Sequence, residues 1–465
     1  MQIMIPYSKD LLPVEIPGER VLFDGKQKMT AADPLWKEKL RTMLDCPTAG
    51  PSLAEMIPAA PRRIVILSED NTRHTPVREI LPVLWEYLSS HGVHEDEITV
   101  LICPGTHRIL TEEELENKLG AFAMEHFRVL QHDCRDAEAL VRLDSVRIGG
   151  LEIPVEVNRT AVEADLLIGL GSIIPHPNAG FSGGAKILDP GCCGPATVSA
   201  THTAAAVLDY LPLGMMENAF RDSLETAAKA AGLGFIVNVI LNPENGVADL
   251  VTGDPVAAHR VGALISREVF GVEIPEPAEI LISASFPYDD DYWQCEKAMI
   301  SGYFAVKEGG IMIVAAPCRE GLAHNHDELL SWLALPRKEV VRRIRRLCGA
   351  AGEPAGETET GSGMKSETGS GCLPAAANIS ENVADQAELT DLVAAAIASG
   401  ARMVSEKAEI FFVCDGLTDE EVRAMGYRRF PTLQAALDTA LRERPEGRVG
   451  ILPRGGDCLP VVQKV

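Results

Sequence analysis

Leu166-Leu-Ile-Gly-Leu170 runs into Gly171-Ser-Ile-Ile-Pro-His176-Pro-Asn-Ala-Gly-Phe-Ser-Gly-Gly-Ala-Lys186-Ile-Leu-Asp-Pro-Gly191, and the chain then reaches His202. The first five residues form a continuous apolar run, the pattern of a strand covered by helices on both faces. Similar short runs recur at Ile64–Leu67, Ile98–Cys103, Phe235–Leu241, Ile280–Ser283, Ile311–Ala316, Ile410–Cys414 and Val449–Leu452. Between them lie stretches with helical spacing. In Pro76–Ser90 the apolar positions are Val77, Ile80, Leu81, Leu84 and Leu88, and in Leu433–Leu441 the leucines recur every fourth residue. This alternation predicts an α/β fold of two domains, with mostly parallel sheets flanked by helices. Ligands of such sheets bind beyond the carboxyl ends of the strands, so the active site is expected in the cleft between the domains.

Pro275 and Pro277 break the chain between Phe270 and Ala278. The main boundary is therefore set there: an N-terminal catalytic, cofactor-binding domain over 1–272 and a C-terminal α/β domain over 273–448. A tail over 449–465 is expected to return to the N-terminal domain. Residues 349–377 are rich in Gly, Ser, Thr, Glu and Ala, and Glu359-Thr-Gly-Ser-Gly363 returns as Glu367-Thr-Gly-Ser-Gly371. That composition predicts a disordered insertion. Arg337–Leu347 before it reads as a basic helix with Val340, Val341 and Ile344 turned inward.

The 465 residues carry 43 Lys+Arg against 67 Asp+Glu, a formal charge of −24. This excess argues against nucleic acid or an anionic membrane as partner, since both need clustered cations. It leaves room for a small anion in a locally basic pocket. MQIMIPYSKD has no charged segment followed by an apolar one, and no run of about 18 apolar residues occurs, so a cytoplasmic protein is expected. The 11 cysteines include no CxxC pair and read as buried thiols.

Chemistry-bearing residues collect after the strands. Ser68-Glu-Asp70-Asn-Thr-Arg73 follows the first run. Arg73 suits a carboxylate, while Asp70 or Thr72 could simply cap a helix. Pro104-Gly-Thr-His107 follows the second. Gly183 and Gly184 in the opening segment permit close backbone approach, and successive N–H groups there could cradle an anion ahead of Lys186. The order GxxxxGK[ST] is absent, which removes an ordinary ATPase reading. In Tyr288-Asp-Asp-Asp-Tyr292-Trp293-Gln294-Cys-Glu-Lys297, Gln294 and Lys297 share one helical face. Tyr292 and Trp293 read equally as pocket wall or as core.

These blocks, in this order, resemble the nickel-dependent lactate racemase family. The most specific is His176…Gly-Phe-Ser-Gly-Gly-Ala-Lys186…His202, and the resemblance extends from Pro6-Tyr7 to Ile451-Leu-Pro-Arg-Gly-Gly456. It implies a nickel pincer nucleotide, a nicotinate-derived mononucleotide holding nickel through two sulfurs and a ring carbon, tethered through Lys186. By the same resemblance His202 is the remaining nickel ligand, and His107 and His176 are acid/base catalysts. Asp70, Gly183 and Gly184 would contact the cofactor, and Arg73, Trp293, Gln294 and Lys297 the substrate. The implied reaction is racemisation of a 2-hydroxy acid by reversible hydride transfer through a 2-keto acid. Cofactor-biosynthesis proteins are implied as loading partners.

The chain departs from the lactate-active pattern at three places. Asp385-Gln386-Ala387 stands where that type has Asp-Gln-Trp, Trp293 replaces a tyrosine, and Asp189 replaces an apolar residue. A substrate other than lactate, larger or more polar, is therefore expected. Two alternatives remain open. One is a hydrolase in which His107, His176 and His202 form a zinc site. The other is a non-catalytic carrier of the nickel cofactor.

Overall fold

The computed structural model describes residues 1–60, 62–148, 151–348 and 389–463. The sequence-based expectations for the insertion at 349–377 and for Asp385-Gln386-Ala387 fall outside them. Two six-stranded sheets organise the chain. Their strands, in chain order, are β1 (Val21–Asp24), β2 (Ile64–Ser68), β3 (Ile98–Ile102), β4 (Arg128–Gln131), β5 (Leu166–Ser172), β6 (Leu233–Leu241), β7 (Val247–Gly253), β8 (Ala278–Ala284), β9 (Val306–Ala315), β10 (Glu409–Val413), β11 (Arg428–Arg429) and β12 (Val449–Leu452).

The first sheet has the order β7-β6-β5-β2-β3-β4, parallel except for β7. The second has the order β11-β10-β9-β8-β12-β1 and is parallel throughout. Every residue of β2 and of β5 is buried, because helices cover both faces. The helix Val77–Ser90 buries Val77, Ile80, Leu81, Leu84 and Leu88, the stripe that its spacing predicts.

The order of the strands fixes where a ligand fits. In the first sheet β3 and β4 follow β2 in one direction, whereas β5 lies on the other side of β2. In the second, β9 and β10 follow β8 in one direction, whereas β12 lies on its other side. Loops leaving such a pair of strands diverge and open a crevice at their carboxyl ends. By this rule the positions for a ligand are β2/β5 and β8/β12.

Both chain ends join the second sheet. The hairpin Gln2–Tyr7/Asp10–Glu15 buries Ile3, Ile5, Tyr7 and Val14 in a core shared with Ile280, Ile311, Phe411 and Leu437. β1 is the sheet's edge strand, paired with β12. Residues 1–24 thus pack with the C-terminal unit, not with the 1–272 domain to which the sequence reading assigned them. β12 likewise pairs with β8 and β1, where the tail was expected to return to the N-terminal domain. Only Leu459–Val462 reaches back, pairing with Gly271–Ile274. Nothing in a short apolar run specifies a partner some 400 residues away, so this pairing was illegible locally.

The basic helix forms over Arg337–Leu347, burying Val340 and Ile344, while Val341 stays partly open. Among the described residues every cysteine is a free thiol, and all but Cys46 and Cys348 are buried. None of the described helices is long and apolar enough to cross a membrane.

Phe23 is the seam of the N-terminal strand. Its ring lies on Gly450 so closely that a Cβ there would stand 2.3 Å from Phe23 Cζ. Phe23→Ala should cost about 3 kcal/mol in denaturant unfolding. A cost below about 1 kcal/mol would show that β1 is not integral to the second sheet.

Candidate active site

The crevice at β2/β5 begins with Asp70. Its Oδ1 accepts the Thr72 N–H at 3.1 Å, and its Oδ2 accepts from His107 Nδ1 at 2.7 Å. Burial pushes this carboxyl up, but the His107 and Thr72 hydrogen bonds outweigh burial and hold it below its ordinary value. Because His107 donates Nδ1–H to Asp70, its Nε2 carries the lone pair. His107 reaches Asp70 on a loop turned by Gly105, whose φ is +64° and whose N–H binds the Gly191 carbonyl at 2.9 Å. Arg73 donates only to Thr72 and, among the described residues, is in no ion pair. Lys118 braces this loop from behind through the Arg73 carbonyl at 2.8 Å.

After β5 the chain makes a small hairpin, Pro175–His176 against Gly180–Phe181. His176 Nδ1 accepts the N–H groups of Asn178 and Ala179, each at 3.2 Å. In the neutral ring the proton therefore sits on Nε2, the opposite arrangement to His107. Burial, and then the charges of Lys186, Lys297, Arg73 and His202, keep this imidazole neutral far below its usual range.

The glycines that follow are oriented differently from the sequence expectation. A Cβ on Gly183 would stand 2.7 Å from Ile173 Cγ1, and one on Gly184 would stand 2.9 Å from the His259 ring. The Gly184 N–H is donated to Asn238 Oδ1 at 2.7 Å and the Ser182 N–H to the Ile174 carbonyl at 2.8 Å. The Ser182 and Gly184 amides are therefore engaged by protein groups. Close packing against Ile173, Asn238 and His259 is what demands glycine there.

Lys186 follows on a single 3-10 turn, Gly184–Ile187. Burial, then Arg73 and Arg221, bring its amine down to about 8, so about a tenth is neutral at pH 7. His202 lies on α1 (Pro195–Ala206). It donates Nδ1–H to the Val198 carbonyl at 2.8 Å, and burial holds it neutral down to about 4. Nε2 thereby carries the lone pair. Asp189 lies at the far end of the same loop and accepts from Thr201 Oγ1 at 3.1 Å. Its other oxygen has no partner among the described residues, and burial raises the carboxyl to about 7.

The second sheet contributes α2 (Tyr292–Ala305), which starts just past β8 and is capped by Asp291 through the Gln294 N–H at 2.8 Å. Trp293, Gln294 and Lys297 are the partly open residues of its first two turns. Lys297 donates to Gln294 Oε1 at 2.7 Å and stands 3.8 Å over the Tyr288 ring. Burial, then the charges of Arg73 and Lys186, lower it to about 7. Arg73 and Lys186, from loops of the first sheet, are thus near enough to Lys297 for their charges to lower its basicity. Tyr292 is core, its hydroxyl 2.8 Å from that of Tyr427. Trp293 stacks on His326 with centroids 4.2 Å apart and planes at 15°. His326 in turn donates Nδ1–H to Asp391 at 2.7 Å.

His326, Asp391, Lys118 and Asn238 carried no signal in the sequence, since each is a single residue remote from the motifs it supports. Among the described residues no three of His, Cys, Asp and Glu stand together to hold a metal ion. The alternative zinc site built from His107, His176 and His202 is therefore not formed.

Residues 7–210 match the family described as the lactate racemase N-terminal domain. The lactate racemase of Thermoanaerobacterium thermosaccharolyticum is 32% identical over 337 residues, covering 71% of this chain and 77% of that protein. The lactate racemase of Lactiplantibacillus plantarum is 33% identical over 327 residues, covering 69% and 75%. The lactate racemase apoprotein structure from T. thermosaccharolyticum superposes with a TM-score of 0.79 at 25% identity, over 99% of this chain and all of that one. A Thermotoga maritima protein shares the fold, with a TM-score of 0.64 at 18% identity over 94% of this chain and all of that one. With this much of its length aligned to those enzymes, the chain belongs to the lactate racemase family and is an isomerase of the racemase type.

Proposed function

We propose that the protein racemises a 2-hydroxy acid larger or more polar than lactate, using a nickel pincer nucleotide tethered to Lys186. The observation that carries this reading is the clustering of Arg73, Lys186 and Lys297 around the buried His176, with His202 near it. The donor set fits the cofactor. Lys186 would hold the nucleotide through its amine, and His202 Nε2 would hold the nickel. A single available imidazole is what a metal needs when its other ligands arrive with the nucleotide. When bound, this group supplies an acceptor for hydride from the substrate's C2.

The chain's own residues account for the rest. Arg73 and Lys297 anchor the substrate carboxylate, so the 2-keto acid formed after hydride loss stays bound. His107 Nε2 takes the proton of the C2 hydroxyl, and Asp70 stabilises the imidazolium that forms. The keto group then turns about its bond to the anchored carboxylate and presents its other face for hydride return. The oxygen now lies at the second histidine, His176. Two histidines are needed because the hydroxyls of the two enantiomers occupy different places. In their neutral rings His107 presents a lone pair at Nε2 and His176 an N–H. For His176 to accept a proton at Nε2, its own proton must move to Nδ1 at the expense of two backbone hydrogen bonds. The two directions of turnover therefore begin from unequal ring states.

The substrate reading rests on the wall. Trp293 stacks on an imidazole fixed by Asp391, which places a polar ring beside the cleft. In the sequence, Ala387 stands where lactate-active members carry tryptophan.

Intact mass and metal content of protein from its native source test the cofactor. An adduct on Lys186 with stoichiometric nickel is expected, and unmodified Lys186 with bound zinc would overturn the reading. His107→Gln should lower kcat by about 100- to 10,000-fold while the adduct persists; loss of the adduct instead would make His107 a site-building residue. Enantiopure 2-hydroxy acids with methyl, ethyl, hydroxymethyl or carboxymethyl side chains test the wall, and preference for the methyl compound, lactate, would sink that part. Enantiomers have equal free energy, so kcat/KM must be the same for both. The unequal ring states should then appear as different kcat values, with KM differing in proportion; equal kcat values would refute the asymmetry.

A further inference from the structure

Behind the glycine-rich segment lies a buried polar network that the reaction itself does not use. Arg221, on α3 (Ala219–Ala230), is fully buried. Its Nη1 donates to the Gly183 carbonyl at 3.1 Å, its Nε to the Ala179 carbonyl at 3.4 Å, and its Nη2 to the Phe181 carbonyl. His259, on α4 (Ala257–Phe270), is also fully buried and donates Nε2–H to the intervening Ser182 carbonyl at 2.8 Å. Four carbonyls in the five residues 179–183 are thus held from one side by two side chains.

The network is closed at its back. Arg260 forms a two-pronged pair with Glu225 at 2.6 and 2.9 Å, and Glu225 lies 3.9 Å from Arg221 Nε. Arg260 also donates to His259 Nδ1 at 3.4 Å, which fixes the tautomer that gives Nε2 its proton. A fully satisfied buried network of this kind rigidifies what it holds. What it holds is the peptide run that ends three residues before Lys186. On the cleft side the same run is pinned by Asn238 and Ile174.

We propose that Arg221 and His259 are positioning residues for Lys186, holding its turn so that the side chain stands in the cleft as the protein's reactive amine. The inference rests on the tether reading of Lys186 for its purpose, but not for its test. Arg221 acts in two ways. Its fork fixes the chain, and its charge, close enough to be felt at Lys186, disfavours protonation of the amine. A core arginine that merely filled space would do neither.

The test uses full-length apoprotein and acetic anhydride, from which a neutral lysine amine displaces acetate to leave an amide. Peptide mass spectrometry reads the acylation rate of Lys186 against exposed Lys338 from pH 6 to 9. In the wild type the Lys186 rate should rise with pH to a midpoint near 8, with exposed Lys338 as the reference for reagent reactivity. Arg221→Met should lower the ratio at neutral pH about fivefold and move the pH profile upward. Arg221→Lys keeps the charge but cannot span three carbonyls, and should lower the ratio about twofold. His259→Gln should leave the pH midpoint unchanged and reduce the rate at all pH values. Wild-type ratios in folded Arg221→Met, judged by circular dichroism, would overturn the proposal. If that variant does not fold, a wild-type ratio in Arg221→Lys does the same. Failure of the tether reading shows separately, as wild-type holoenzyme with no adduct on Lys186.

Discussion

Three cations that repel one another are held together by this fold. Arg73 leaves the first sheet after β2, Lys186 after β5, and Lys297 stands on the helix that follows β8 in the second sheet. Among the described residues none of the three is in an ion pair, and Lys186 and Lys297 both lose basicity through burial and through their neighbours' charge. Like charges in a poorly solvated cleft raise the free energy of the empty site. An anion entering between them relieves that repulsion. The clustering of these basic residues in a protein with net charge −24 is thus local, made by strand order and not by composition.

The same economy governs the imidazoles. Each of the four at the site has its Nδ1 occupied by a fixed partner: Asp70 for His107, two backbone N–H groups for His176, the Val198 carbonyl for His202 and Asp391 for His326. The partner determines what Nε2 can do. A carboxylate or carbonyl at Nδ1 leaves a lone pair at Nε2, suited to accept a proton or bind a metal. Backbone N–H groups at Nδ1 leave an N–H at Nε2. Burial then keeps His176 and His202 neutral, so that these assignments persist without competition from the doubly protonated ring.

Much of this was legible in the sequence because strand–turn–helix units are local. The run Leu166–Leu170, the turn after it and the spacing of Val77, Ile80, Leu81, Leu84 and Leu88 each specify their own structure within one element. Residues placed at strand ends fell at strand ends, so His107, Arg73, His176, Lys186 and Lys297 could be named before any coordinates. What stayed hidden is long-range. Phe23 gives no sign that it will lie on Gly450, and His326 gives none that it will stack on Trp293 while its imidazole is tied across the chain to Asp391.

Gly183 and Gly184 are the instructive case. A glycine-rich turn ahead of a lysine has two physical explanations, ligand approach and protein approach, and both remove the Cβ for the same steric reason. The sequence cannot choose between them, because the deciding atoms belong to Ile173, Asn238 and His259. The carbonyls of the same segment carry the deciding information. They turn toward Arg221 and His259, and the Ser182 and Gly184 amides are taken by Ile174 and Asn238. The glycines let the backbone stay buried between the histidine and the lysine of the segment.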